Sequence, residues 1–132
     1  LRLVLAISKV ITDLERIGDE TKKVARIVAN MVNNGSPRSY YVGVLAMGYH
    51  VRRMLRAALD AFARMDSHAA LAVAQEDPEV DKEMEAVMRQ LITYMMEDPR
   101  CIRGVLDAVL AVRAFERIGD HADNICENAI YL

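Results

Sequence analysis

The chain has 132 residues, 53% hydrophobic and 27% charged, with 17 basic against 19 acidic side chains and a formal net charge of -2. That is one ordinary domain's worth of sequence with enough apolar material for a core, too short for a large multidomain enzyme and too weakly charged for intrinsic disorder. Without a global basic field nucleic acid is not the expected partner, and three prolines, six glycines and 5% aromatic residues favour helices over sheets.

In chain order, Leu3, Ile7, Val10, Leu14, Ile17, Val24, Val28 and Met31 recur at alternating steps of four and three, interrupted by Thr21. This spacing predicts one long helix with a heptad seam. Asn33-Asn34-Gly35-Ser36-Pro37 ends it, since Asn and Gly accept left-handed backbone and proline cannot continue an intrahelical ladder. A second helix is predicted from about Tyr40 to Met65, with Val44, Met47, Val51, Met54, Ala58, Phe62 and Met65 as its stripe. Asp66 then offers a cap for a short helix through Gln75. Asp77-Pro78 opens or kinks a further helix to about Glu97, with Asp77 a good N-cap, and Asp98-Pro99 repeats that punctuation. The last helix carries Ala108, Ala111, Phe115, Ile118, Ala122, Ile125, Ala129 and Leu132.

No apolar run approaches the roughly 18 residues that span a bilayer. The opening Leu1-Arg2-Leu3 has neither a signal peptide's regions nor an initiator methionine, so the expectation is a cytoplasmic fragment of a larger protein. Cys101 and Cys126 read as members of the last helix, which would hold them about 37 Å apart. A disulfide needs Cα atoms within about 7 Å, so free, reduced thiols are expected.

Glu15-Arg16-Ile17-Gly18-Asp19 returns as Glu116-Arg117-Ile118-Gly119-Asp120, an offset of 116 − 15 = 101 residues. The same offset carries the first seam onto the apolar positions of the last helix. Glu and Asp at i and i+4 stand one turn apart, where like charges repel by a few tenths of a kcal/mol, so a cation is called for between them. The glycine inside each copy costs about 1 kcal/mol relative to alanine, which suggests a close approach to the backbone. Arg16 and Arg117 offer a blander answer by neutralising the acids at i+3. Asp77 and Asp81 form a third pair at i, i+4, with Glu85 a turn further on. Capping and the helix macrodipole explain Asp77 but leave Asp81 unexplained. If the last two long helices are antiparallel, Asp77 and Asp81 can face Glu116 and Asp120. Carboxylate ligands suit hard cations such as Mg²⁺, Mn²⁺ or Ca²⁺, and oxo-bridged iron, better than copper or structural zinc. Iron, zinc, manganese and magnesium all stay open as the metal.

A twice-used ERIGD in long helices, with the closing HADNICENAIYL and the segments LDAFARMD (Leu59 to Asp66) and RQLITYMMED (Arg89 to Asp98), resembles the PhoU family of bacterial phosphate-transport regulators. The resemblance spans nearly the whole chain. It implies an all-α fold of three-helix-bundle repeats: residues 1–34 as the last helix of a truncated first repeat, and residues 38–132 as a complete second repeat. It also implies metal clusters held by paired acidic motifs. Asp77 and Asp81 would join Glu116 and Asp120 in one cluster, while Glu15 and Asp19 would belong to another whose partner helix lies before Leu1. The implied role is negative regulation of phosphate uptake and of the phosphate-starvation response, without catalysis. The implied partners are the phosphate ABC transporter's ATPase subunit and a membrane sensor histidine kinase. A homodimer at most peripheral to the membrane is expected.

Competing readings are weaker. A carboxylate-bridged di-iron oxidase calls for Glu-x-x-His pairs, and the sequence has none. His121 is rotated about 100° from the Asp120 face and reads as a packing or surface histidine. The serines and cysteines lack the flanking motifs of nucleophiles. The methionines read as core filler, and Arg52, Arg53 and Arg56 as a solvated face. A bundle with acids paired by arginine and no metal is the remaining alternative. The first helix, lacking bundle partners of its own, is expected to pack on another copy or back on the second bundle.

Overall fold

Asp-Pro, Gly-Ser-Pro and an Asp cap cut the chain into helices close to where their chemistry requires. The computed structural model describes Leu1–Leu132. Five α-helices follow one another: α1 (Arg2–Asn33), α2 (Val42–Ala63), α3 (Ser67–Ala74), α4 (Asp77–Glu97) and α5 (Ile102–Ile130). Single 3-10 turns at Arg38–Tyr40 and Pro99–Cys101 lead into α2 and α5. The fold is all-α, a bundle of long helices, as its sequence predicted.

The ends have local causes. Gly35 takes φ +68, letting the Ser36 N–H donate to the Met31 carbonyl at 3.0 Å, the left-handed stop of a Schellman turn. Met65 does the same for α2 at φ 55, with the Asp66 N–H donating to Ala61 at 2.9 Å. Met65 is therefore an exposed cap and not the end of the α2 stripe, where Ala61 is buried instead. The Asp66 carboxylate accepts from the Ala69 N–H at 3.0 Å and caps α3 as expected. At α4 the expectation fails: Glu76 occupies the N-cap without a side-chain bond, and Asp77 is the first helical residue, immediately before Pro78.

α5 is the centre of the molecule and touches each of the other four helices. Its buried face is correspondingly wide, taking in Val105, Val112, Ala114, Gly119 and Cys126 beyond the predicted stripe. Cys101 lies in the 3-10 turn before α5 and not within it; both cysteines are free. Met47, Met54, Val51, Leu91 and Ile125 fill the core, each contributing about 1.5–3 kcal/mol of burial.

α1 lies antiparallel on α5. Asp13 meets His121 while Glu20, two turns on, meets the earlier Arg117. The contact uses Ala6, Val10, Asp13, Ile17, Glu20 and Met31, a stripe rotated from the predicted seam. Leu3, Ile7 and Leu14 are 44%, 41% and 37% exposed, whereas Asp13 and Glu20 are 8% and 9%. The rotation follows from the partner surface: α5 presents His121, Asn124 and Arg117, which carboxylates satisfy and leucines do not. So α1 packs back on the rest of the chain, burying three of its eight seam residues, Val10, Ile17 and Met31, together with Ala6 and two acids.

Candidate carboxylate metal site

The first turn of α4 carries Asp77 and Glu79 at the positive end of the helix dipole, and Asp81 follows one turn on. Across from it, α5 presents Glu116 and Asp120. The four share one electrostatic neighbourhood. Burial first, then Asp81, Asp120 and Glu116, raise the Asp77 carboxyl above its ordinary value. Burial, then Glu116 and Asp81, raise Asp120, with His121 opposing slightly. The antiparallel placement expected of Asp77, Asp81, Glu116 and Asp120 therefore holds at this level. Their side chains are not already drawn together, since no three His, Cys, Asp or Glu residues form a ready ligand group.

The cluster is larger than the sequence reading allowed. Asp123 is raised by burial and then by Asp77, Glu127 and Asp120. Glu116, Asp120, Asp123 and Glu127 recur at steps of four and three along α5. That acidic stripe runs beside the apolar one on the same helix, at the same period. Cys126 does not add a thiolate: burial, reinforced by Asp123, pushes its thiol up to about 11, so it stays protonated at neutral pH.

No lysine or arginine offsets these charges. Arg117 turns to Glu20 at 3.7 Å instead of to Asp120, and Arg16 has no carboxylate within 4.0 Å. The arginine-pairing explanation is thus corrected at both copies. Antiparallel docking on α5 aims Arg117 across the interface, away from its own acids.

Glu15 and Asp19 lie exposed on α1, and the structure brings no second carboxylate pair to them. The glycines differ likewise. A Cβ on Gly119 would sit 4.0 Å from Val51 Cγ2 and Val80 Cγ1, so α2 and α4 do come close to α5 there. At Gly18 nothing lies within 4 Å, and the expected close approach is absent.

Two polar contacts escaped the sequence. His121 Nδ1 lies 2.8 Å from Asp13 Oδ1, and Asn124 Nδ2 donates to the same oxygen at 3.4 Å, making His121 the hinge pin between α1 and α5. His50 on α2 sets Nδ1 2.7 Å from Glu83 and Nε2 3.3 Å from Glu76, just beside the start of α4. With a carboxylate at each nitrogen, His50 holds its proton above the usual range, led by Glu83. His121 opens the HADNICENAIYL segment but its partner on α1 is not marked there, and His50 lies outside every quoted motif.

With this geometry in hand, comparison with known proteins is decisive. Residues 44–129 match the model of the PhoU domain. The chain belongs to the PhoU family. It is 53% identical over 132 residues to the phosphate-specific transport system accessory protein PhoU homolog of Pseudomonas aeruginosa, covering all of this chain and 54% of that protein. It is 47% identical over 131 residues to the accessory protein PhoU of Escherichia coli K12, covering 99% and 54%. The crystal structure of PhoU from P. aeruginosa superposes with a TM-score of 0.95 at 53% identity, covering 99% of this chain and 63% of that one. PhoU from Streptococcus pneumoniae, a phosphate transport system regulatory protein, superposes at 0.87 with 29% identity, covering 99% and 61%. The chain thus spans about half the length of the curated PhoU relatives it matches. No helix is long and apolar enough to cross a membrane.

Proposed function

We propose that this PhoU-family chain serves in negative regulation of phosphate uptake and of the phosphate-starvation response, as a metal-binding adaptor without catalytic activity. In this reading it works in the cytoplasm as a homodimer, between the phosphate ABC transporter's ATPase subunit and a membrane sensor histidine kinase. The relatives' names, accessory proteins of phosphate-specific transport, support the regulatory part.

One observation carries the metal part: burial, with the charges of Asp81 and Glu116 close by, raises the Asp77 and Asp120 carboxyls, and no lysine or arginine pairs with any of the four. These residues fit a hard cation or iron. Asp77 and Asp81 from α4 with Glu116 and Asp120 from α5 would hold it, and Asp123 lies close by. When bound, a metal supplies positive charge that offsets the repulsion and ties α4 to α5. Glu15 and Asp19 would serve a second site only with carboxylates from another helix.

The test is metal content by mass spectrometry of purified protein and of the Glu116→Ala/Asp120→Ala variant. Loss of bound metal in the variant is the expected result. Equal metal content removes this site from the account and leaves a structural bundle without metal here. A pull-down with the transporter's ATPase subunit tests the adaptor role separately; a clean negative overturns it.

A further inference from the structure

We propose that the cleft between α1 and α5 binds a compact polyvalent oxyanion, of the kind presented by a chain of condensed phosphates. The main cleft holds about 590 Å³ and is lined wholly by polar residues. A second, of about 360 Å³, shares Lys23, Arg26 and Arg117 with it and adds Arg113. In a chain of net charge -2, this is a local excess of cations, with Asp19 and Glu20 as the acids in the lining.

Ion pairing consumes only part of that excess. Glu20 takes both Lys23, at 3.4 Å, and Arg117, at 3.7 Å, and its Oε2 is buried without a hydrogen bond. Arg16, Lys22, Arg26 and Arg113 have no carboxylate within 4.0 Å. Four unanswered cations on two facing helices repel one another, and an anion with several charges relieves more of that repulsion than a monovalent one. Guanidinium forks suit phosphate oxygens in a bidentate manner. The main cleft has no aliphatic lining, and its one aromatic ring, His121, is tied to Asp13 at 2.8 Å, so charge on the phosphate chain, more than stacking, drives recognition.

Isothermal titration of the full chain with sodium tripolyphosphate, in EDTA and at fixed ionic strength, tests this. Saturable binding that weakens about tenfold or more in Arg26→Ala/Arg113→Ala is expected, since each lost fork removes charge-assisted bonds. Both residues are exposed and no hydrogen bond of the fold uses them, and circular dichroism verifies that the variant stays folded. Arg52→Ala/Arg53→Ala, on α2 and outside the lining of both clefts, keeps wild-type affinity, and saturable binding in EDTA separates this site from the metal site. Absence of binding, equal weakening in the Arg52/Arg53 control, or orthophosphate binding as tightly as tripolyphosphate each overturns the proposal. ATP distinguishes the source of the phosphate chain: affinity no greater than tripolyphosphate's fits a site without a base platform, and tighter binding overturns the compact-anion reading.

Discussion

Glu15-Arg16-Ile17-Gly18-Asp19 and Glu116-Arg117-Ile118-Gly119-Asp120 are the same five residues in two long helices, yet only two positions share a fate: the isoleucines are both buried where α1 and α5 belong to one core, and the arginines both line the cleft between these helices. In α5 the glycine lies against Val51 and Val80, and the acids join Asp77 and Asp81. In α1 the glycine faces open space and the acids are exposed. The position after each copy differs too: Glu20 in one and His121 in the other, both turned into the α1–α5 contact. A motif therefore supplies ligating groups, and only the neighbouring helix makes them a site.

The largest effect that can break this comparison is steric. Gly119→Leu places a branched side chain against Val51 and Val80 and is expected to cost about 3 kcal/mol in urea unfolding, whereas Gly18→Leu stabilises the chain by up to about 1 kcal/mol. Equal effects at the two glycines would show that α5 is not held against α2 and α4 as described. Next comes the interface polarity. His121→Ala leaves the buried Asp13 carboxylate with only the long Asn124 contact and is expected to cost about 1–3 kcal/mol. An unchanged unfolding midpoint would mean that the histidine does not hold α1.

Electrostatic differences between the copies are smaller. Asp120→Asn removes a like charge from the cluster and is expected to raise metal-free stability at pH 7 by a few tenths of a kcal/mol; Asp19→Asn relieves only the repulsion of Glu15 on its own helix and is expected to gain less. The pH dependence has a definite sign. Folded Asp77, Asp120 and Asp123 hold protons more tightly than their ordinary 3.8, so the folded chain binds more protons in that range and loses stability as pH rises through it. His50 acts in the same direction: its contribution is full below 6.5 and disappears as pH passes its raised folded value. Thermal melts of metal-free protein should therefore be lower at pH 8 than at pH 5.5 through His50, while Asp120→Asn makes the slope shallower only in the carboxylate range just above 3.8. A rise in melting temperature over that interval would contradict the described environment of these groups.

The helices were legible because proline, glycine and aspartate act locally: Gly35 and Pro78 stop and start helices whatever surrounds them. That Asp77 and Asp81 share an electrostatic neighbourhood with Glu116 and Asp120 was legible from helical spacing and antiparallel order. The face of α1 was not, because apolar periodicity gives no weight to Asp13 or Glu20, whose burial depends on His121 and Arg117 about a hundred residues away. His50 was silent for the same reason, its partners Glu76 and Glu83 lying on another element. Gly48 was also missed: a Cβ there would fall 2.7 Å from Phe115 Cζ, a constraint visible only once α2 lies on α5.

The bond between Asp13 and His121 spans 108 residues of chain. Closing so long a loop costs more entropy than joining neighbouring helices, and on α1 part of the contact that rewards it is polar, through Asp13 and Glu20. On that ground α1 is expected to settle after the neighbouring helices during folding and to lift away before them in the native state. Its amides should exchange with solvent deuterium through partial opening, while those of α5 wait for the whole bundle to unfold.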